Sequence, residues 1–193
     1  LAIDRLDLTL LAQLADRLPL SPALRAQLAA LSPTGIARNL QLTWQGPALA
    51  PTGYQAEGVL QGVSWLASSA HPGVAGAELT FQANQGGGQA KAKVRQGWVE
   101  FPGVFDEPRV PVRELDAQLQ WQIRPRPNAP PQITLNVQRA QFANDDATGV
   151  LNATWRTGDG QGMGDGGRFP GHLRLNGELA QARGDRVWRY LPS

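Results

Sequence analysis

Residues 114–124 read ELDAQLQWQIR, and every second side chain is apolar: Leu115, Ala117, Leu119, Trp121 and Ile123 alternate with Asp116, Gln118, Gln120 and Gln122. A period of two places the first set on one side of an extended strand and the second on the other. A strand with one polar side belongs to an antiparallel sheet, because parallel strands buried on both sides are apolar throughout. The pattern recurs along the chain. RNLQLTW sets Leu40, Leu42 and Trp44 against Asn39, Gln41 and Thr43. Further on come Ile133, Leu135 and Val137, then Gly149, Leu151, Ala153 and Trp155, then Leu173, Leu175, Gly177 and Leu179. Less regular strands are expected near Tyr54–Trp65, Ala75–Ala83 and Gln89–Phe101. About eight strands result, each apolar on one side.

The N-terminus has a different period. Leu6, Leu10, Leu11, Leu14 and Leu18 recur three and four residues apart, which predicts a helix from Asp4 to Arg17, stopped by Pro19. Ser21 is a capping residue and Pro22 suits a first helical position, so a second helix carries Leu24, Leu28 and Leu31 before Ser32 and Pro33. Residues 1–34 thus read as a helical hairpin with one apolar side, packing on a β-sheet unit formed by residues 35–193.

Glycine-rich stretches at Ala83–Gln89 and Arg156–Arg168 have turn and loop composition, so the strands form a meander. The exception is VEFPGVFDEPRVPVREL, Val99–Leu115. Pro102, Pro108 and Pro111 forbid a helix there and each lacks a ladder donor, which predicts a longer connection at a sheet edge or crossover. Phe101 and Phe105 are expected to pin it to the apolar side. A wide sheet with one apolar face must hide that face, by curling, by the helical hairpin, by a ligand or by a neighbouring module. The expected fold is therefore mainly β: a curved antiparallel meander, an open groove or trough with an apolar concave face, and a short N-terminal helical hairpin.

With 193 residues, one domain is the default. The first residue is Leu and no stretch approaches the roughly 18 consecutive apolar residues of a membrane span, which reads as a piece of something longer. The net charge of +2 is spread along the chain, and the only lysines are Lys91 and Lys93. In KAKVR, Lys91–Arg95, charges alternate with Ala92 and Val94, the pattern of a solvated strand face and not of a phosphate track. No nucleic-acid partner is expected. Absence of cysteine excludes disulfides and thiolate metal sites.

Groups able to do covalent chemistry are sparse. His71 and His172 lie in unrelated strand ends, no Ser sits in a nucleophile elbow, and adjacent Asp145 and Asp146 suit a turn better than a carboxylate pair. Gly162, Gly164 and Gly167 spell G-x-G-x-x-G, but a strand containing Pro170 follows instead of a pyrophosphate-binding helix. Asp159 and Asp165 resemble one turn of a calcium-binding nonapeptide repeat, whose sites need stacked copies. No catalytic residue, metal or cofactor is expected. Trp44, Trp65, Trp121 and Trp155 share parity with the aliphatic residues of their strands and face the apolar side, as core packing or as the lining of an apolar ligand site.

Four segments, LSPTGIARNLQLTW, HPGVAGAELTFQANQGGG, FPGVFDEPRVPVRELDAQLQW and RVWRYLP, together resemble a segment of the YhdP branch of the AsmA-like envelope proteins. The likeness covers nearly the whole chain and lies in the order of the pieces. It implies a non-enzymatic length of a long periplasmic body, with an inner-membrane helix elsewhere in the parent chain. That body is an open trough of antiparallel strands conducting phospholipid between the inner and outer membranes. Partners implied are phospholipid acyl chains and neighbouring modules of the parent, with membrane contact only through parts of the parent absent here.

On this reading the groove is lined by Leu40, Leu42, Trp44, Leu119, Trp121, Ile123, Leu135, Val137, Leu151, Trp155, Leu173 and Leu175. Two other readings stand beside it. One is a closed structural or interaction domain in which Leu6–Leu31 fills the sheet and no ligand enters. The other is a hydrolase or carbohydrate-binding β-domain, which requires aromatics beside carboxylates on the polar faces, against the parity observed.

Overall fold

The structure, a computed structural model, describes residues 1–17, 22–47, 52–68, 72–103, 105–127, 129–157 and 171–190. Leu18, the Pro19 stop, the Ser21 cap, His71, Pro170, and the loop 158–167 with its G-x-G-x-x-G and two aspartates lie outside the described residues. Nine strands form one sheet in chain order. They are β1 (Ala2–Asp7), β2 (Thr34–Gln45), β3 (Gly53–Trp65), β4 (Gly73–Asn84), β5 (Gly87–Glu100), β6 (Arg109–Arg126), β7 (Ala129–Ala143), β8 (Ala147–Arg156) and β9 (His172–Ala182). Each is antiparallel to the next. The antiparallel meander read from the alternation is what forms.

One extra strand comes from the stretch expected to open a helix. Ala2–Asp7 pairs with β2, and helix α1 covers only Leu8–Gln13, followed by a short 3₁₀ turn at Ala15–Arg17. Asp7 makes the switch: its Oδ1 accepts hydrogen bonds from the backbone N–H of Thr9 at 2.9 Å and Leu10 at 3.2 Å, capping α1. Leu6, the first leucine of the spacing that predicted a helix from Asp4, lies in this strand and not in a helix. Ile3 pairs with Leu40 and Leu6 with Ala37, so both strands skip together at Asp4 and Asn39, where Asn39 has φ 49°. Helix α2 (Pro22–Leu31) does start at the proline.

Such skips recur and explain why several strands read irregularly. Between Arg38↔Val59 and Gln41↔Glu57, β2 advances three residues while β3 advances two. Bulges of the same kind fall at Gly62 (φ 58°) in β3, Gly76 (φ 74°) in β4 and Arg139 (φ 47°) in β7, and Gln96 (φ 53°) marks another kink in β5. A bulge inserts one residue and reverses the parity of everything after it. Apolar side chains compensate by jumping three positions, from Ala37 to Leu40, Leu60 to Val63, Val74 to Ala77 and Val137 to Ala140, and so stay on one side. Beside these kinks lies the densest packing, where Val74, Ala77, Val94 and Val112 are buried against Trp65, Val99 and Leu115.

The proline-rich stretch is not a crossover. Residues 101–108 join β5 to its neighbour β6, closed by the Phe101 N–H donating to the Pro108 carbonyl at 2.8 Å. Pro111 lies inside β6, opposite Trp98. It is tolerated because β7 pairs with β6 only from Glu114 onward, leaving the first residues of β6 without a strand on their second side. Phe101 and Phe105 pack edge to face, with centroids 5.8 Å apart. Arg109 stacks on Trp98 at 4.2 Å and pairs with Glu100 at 3.0 Å, which stiffens the hairpin base.

This end of the sheet is held by charge. A 3₁₀ segment at Gly184–Tyr190 folds back so that Asp146, in the β7–β8 turn and only 8% exposed, receives Arg186 at 3.3 Å and Arg189 at 3.2 Å. Arg189 also reaches Glu107 in the β5–β6 loop at 3.2 Å. The hydrogen bond to Asp146 is the main reason the Arg189 guanidinium sits above its ordinary pKa, with Glu107 adding to it and partial burial opposing it. Asp145, by contrast, is exposed, so the two aspartates diverge as a turn requires. Asp146→Ala leaves two guanidinium groups without their buried carboxylate and is expected to lower Tm by about 5 °C in a calorimetric scan. Arg186→Ala is expected to cost less, because Arg189 stays on Asp146. Equal losses would mean the cluster is not centred on the carboxylate.

Candidate functional site: the apolar face of the sheet

Residues directly opposite one another in an antiparallel ladder carry their side chains on the same face. Followed strand to strand, Leu42, Ala56, Ala83, Gly88, Trp121, Leu135, Trp155 and Leu173 form one unbroken row from β2 to β9. Beside it, Gly58, Phe81, Ala90, Leu119, Val137, Ala153 and Leu175 form a second from β3 to β9. Leu40 lies against Gly58, its Cα 3.3 Å from where a Cβ on that glycine would stand. Trp44 opposes Tyr54, Ile123 opposes Ile133, and Leu151 opposes Ala140 and Gly177. The register therefore brings all twelve residues singled out in the sequence to one face. Leu173, Leu175 and Trp44, at its two ends, are 65%, 57% and 46% exposed, and the other nine are half-buried.

Sequence reading missed part of this surface. Phe81, Ala90, Ala83 and Gly88 were not singled out, since three are too small to register as lining. Glycine at position 88 is required there: a Cβ would stand 2.4 Å from Cζ2 of Trp121 and 2.5 Å from the Gln82 carbonyl oxygen. The bare backbone makes room for the indole of the neighbouring strand.

The opposite face is polar to the same extent. Gln41, Glu57, Gln82, Gln89, Gln120, Asn136, Thr154 and Arg174 form its matching row. Gln82 donates to Glu57 at 3.3 Å, Gln89 to Gln82 at 3.1 Å and Thr154 to Asn136 at 3.0 Å, so neighbours satisfy one another across the strands. Lys93 pairs with Asp116 and Arg95 with Glu114, as a solvated charged face does. Two shallow depressions of about 640 and 680 Å³ lie along the sheet, with walls that include Gln41, Glu57, Gln82, Gln89 and Gln120. Their walls also take in Ala56, Ala83 and Trp121 in the first and Phe81, Ala90 and Leu119 in the second, so carboxamides and apolar groups both contribute.

Burial of the apolar face is uneven: Ala37, Val63, Ala77, Val94 and Ala117 are nearly fully buried, whereas Trp44, Leu173 and Leu175 are exposed. Both helices belong to the β1–β2 connection, and the extended contacts α1 makes with the sheet are to those two strands. Strands β3 to β9 have extended contacts only with their sheet neighbours, and β1 and β9 do not meet. No cluster of His, Asp and Glu able to hold a metal ion occurs among the described residues, and His172 is exposed at the start of β9. No helix among them is long and apolar enough to cross a membrane.

No curated protein and no solved structure matches the chain. The family model described as YhdP protein matches residues 1–193, and the envelope-protein likeness of the four quoted segments accords with it. The chain, from its N-terminal strand to its C-terminal 3₁₀ segment, belongs to the YhdP family.

Proposed function

We propose that the apolar face of this sheet is a stretch of surface along which phospholipid acyl chains pass between the inner and outer membranes. The observation that carries the reading is the unbroken row from Leu42 to Leu173, crossing eight strands without a charged side chain. Each methylene moved from water onto such a surface contributes roughly 0.8 kcal/mol, so an acyl chain is held along its length while its head group stays hydrated. No residue needs to recognise the head group. A surface without strong polar anchors also lets a lipid move on, since nothing holds it more tightly at one place than at the next. On this reading the chain is non-enzymatic, resides in the periplasm and works with neighbouring segments of a longer envelope protein. Family membership supports the lipid assignment.

The two faces make the test internally controlled. A photo-crosslinking amino acid replacing Leu119 or Leu135 in the protein within its native envelope is expected to capture phospholipid. The same group replacing Gln118 or Gln120, one residue away and on the other side, is expected to capture none. Equal labelling from both sides, or no lipid from Leu119 and Leu135, ends this reading.

A further inference from the structure

Three of the positive-φ kinks stand beside one another in the sheet. Val63, just past Gly62 in β3, opposes Ala77, just past Gly76 in β4. The pairs Ala75↔Trp98 and Ala77↔Val94 then bracket Gly76 together with Gln96 of β5. Beyond β5 the register runs on from Arg95↔Glu114 to Gly97↔Val112, so β6 follows the same bend. Four neighbouring strands are thus creased along one line. Apolar residues from both sides of the crease pack on one another: Val74 and Ala77 flank it in β4, Val94 and Val99 in β5, Val112 and Leu115 in β6, all in one cluster. Leu115 shares parity with Leu119 and Trp121, so the strand ends fold toward the apolar face. Val63 and Val94, each 2% exposed, lie within that fold.

The other long side of the same face, where β2 joins β3, β4 joins β5 and β6 joins β7, is open. Trp44 and Tyr54, opposed on the apolar face, are 46% and 40% exposed there. Neither the Trp44 indole N–H nor the Tyr54 hydroxyl has a hydrogen-bond partner among the described residues. At the crease, by contrast, the indole N–H of Trp65 donates to the Pro72 carbonyl at 2.9 Å. A ring with an apolar body and an unmet polar tip suits a boundary between hydrocarbon and water. Charge at the strand ends divides the same way. On the open side exposed Arg124 meets only the Gln122 carboxamide, at 3.4 Å, and exposed Arg156 faces no carboxylate among the described residues. On the crease side Asp106 and Asp145 are exposed, while Arg109 and Arg189 are engaged by Glu100, Glu107 and Asp146.

We infer that the groove has one water-facing seam, along the side of Trp44, Tyr54 and Arg124, where phospholipid head groups lie, while the crease across β3 to β6 walls off the other side. The inference rests on the reading of the apolar face as a path for acyl chains, and adds which way the lipids face. Exposed guanidinium groups attract phosphate through water without the close contact that would hold it in place, and exposed carboxylates at the crease repel it.

Two phosphatidylethanolamine probes test this, one with a diazirine on the head group and one with a diazirine at the acyl terminus. Each is exchanged from vesicles onto the full-length parent protein, irradiated, and its attachment sites are mapped by mass spectrometry. The head-group probe is expected to label Trp44, Tyr54 and Arg124 several-fold more than Val99 and Asp106, and the acyl probe to label Leu119 and Leu135. Acyl labelling of Leu119 and Leu135 with head-group labelling equal on the two sides, or stronger at the crease, overturns the inference and leaves the acyl path intact. Absence of acyl labelling at Leu119 and Leu135 overturns both.

Discussion

Val94→Asp is expected to abolish cooperative folding. Val94 is 2% exposed and packs with Val74, Ala77 and Val112 where the bulged strands meet, and the cations on either side of it in sequence point away. Lys93 and Arg95 bond to Asp116 and Glu114 on the opposite face. A carboxylate at position 94 would therefore be buried without a partner, at about 4–5 kcal/mol or more. Total stability of a domain is commonly about 5–15 kcal/mol, so little or nothing would remain. Lys91→Asp, three residues earlier on the exposed face, is expected to stay within about 0.5 kcal/mol of the parent chain. Urea denaturation followed by circular dichroism distinguishes them. Val94→Asp unfolding at the parent midpoint would show that the face assigned as interior is not one.

The second large effect is steric. A Cβ at Gly97 would stand 2.1 Å from the Ala75 carbonyl oxygen and 2.7 Å from Cγ1 of Val94. Backbone is the obstacle, and it belongs to the neighbouring strand β4, so relief requires parting two paired strands. Gly97→Ala is expected to cost about 3 kcal/mol, a fall in Tm on the order of 10 °C at this chain length. Gly184 is the control, since nothing lies within 4 Å of where its Cβ would stand and its backbone is not left-handed. Gly184→Ala is expected to melt with the parent. The contrast separates close strand approach, read from the geometry, from a general preference for glycine in this chain. Equal melting of the two variants would refute the close approach.

Both expectations rest on the bulges, where strand parity changes. ELDAQLQWQIR is legible because residues 114–124 contain no positive-φ position, and period two holds throughout. The run Ile133, Leu135, Val137 stops short in the sequence because Arg139 is left-handed; Ala140 and Phe142 continue the same face with opposite parity. Alternation cannot reveal that continuation, since a bulge is a two-strand property: the extra residue exists only relative to the partner it fails to match. The N-terminus misleads differently: Leu6 stands four residues before Leu10, a helical spacing in sequence, yet it pairs with Ala37 in β1 before Asp7 caps α1.

The candidate surface was legible to the extent that its members were large. Twelve leucines, valines, isoleucines and tryptophans stood out by size and parity, whereas Gly88 and Ala90 matter through what they make room for. Trp121 occupies the space over Gly88 only because β5 and β6 pair in one register. Pro111 likewise suggested an edge but not which one. It lies inside a strand whose outer neighbour begins three residues later.

The order of apolar and polar residues by itself determined that this chain forms antiparallel strands with two unlike faces, because side chains of an extended backbone must alternate whatever surrounds it. Tertiary structure alone decided that the faces of nine strands line up and where each strand changes step. It also decided that both helices lie within the β1–β2 connection. Those outcomes depend on cross-strand distances and hydrogen-bond register, which bring residues far apart in the chain together and leave no periodic trace within any one segment.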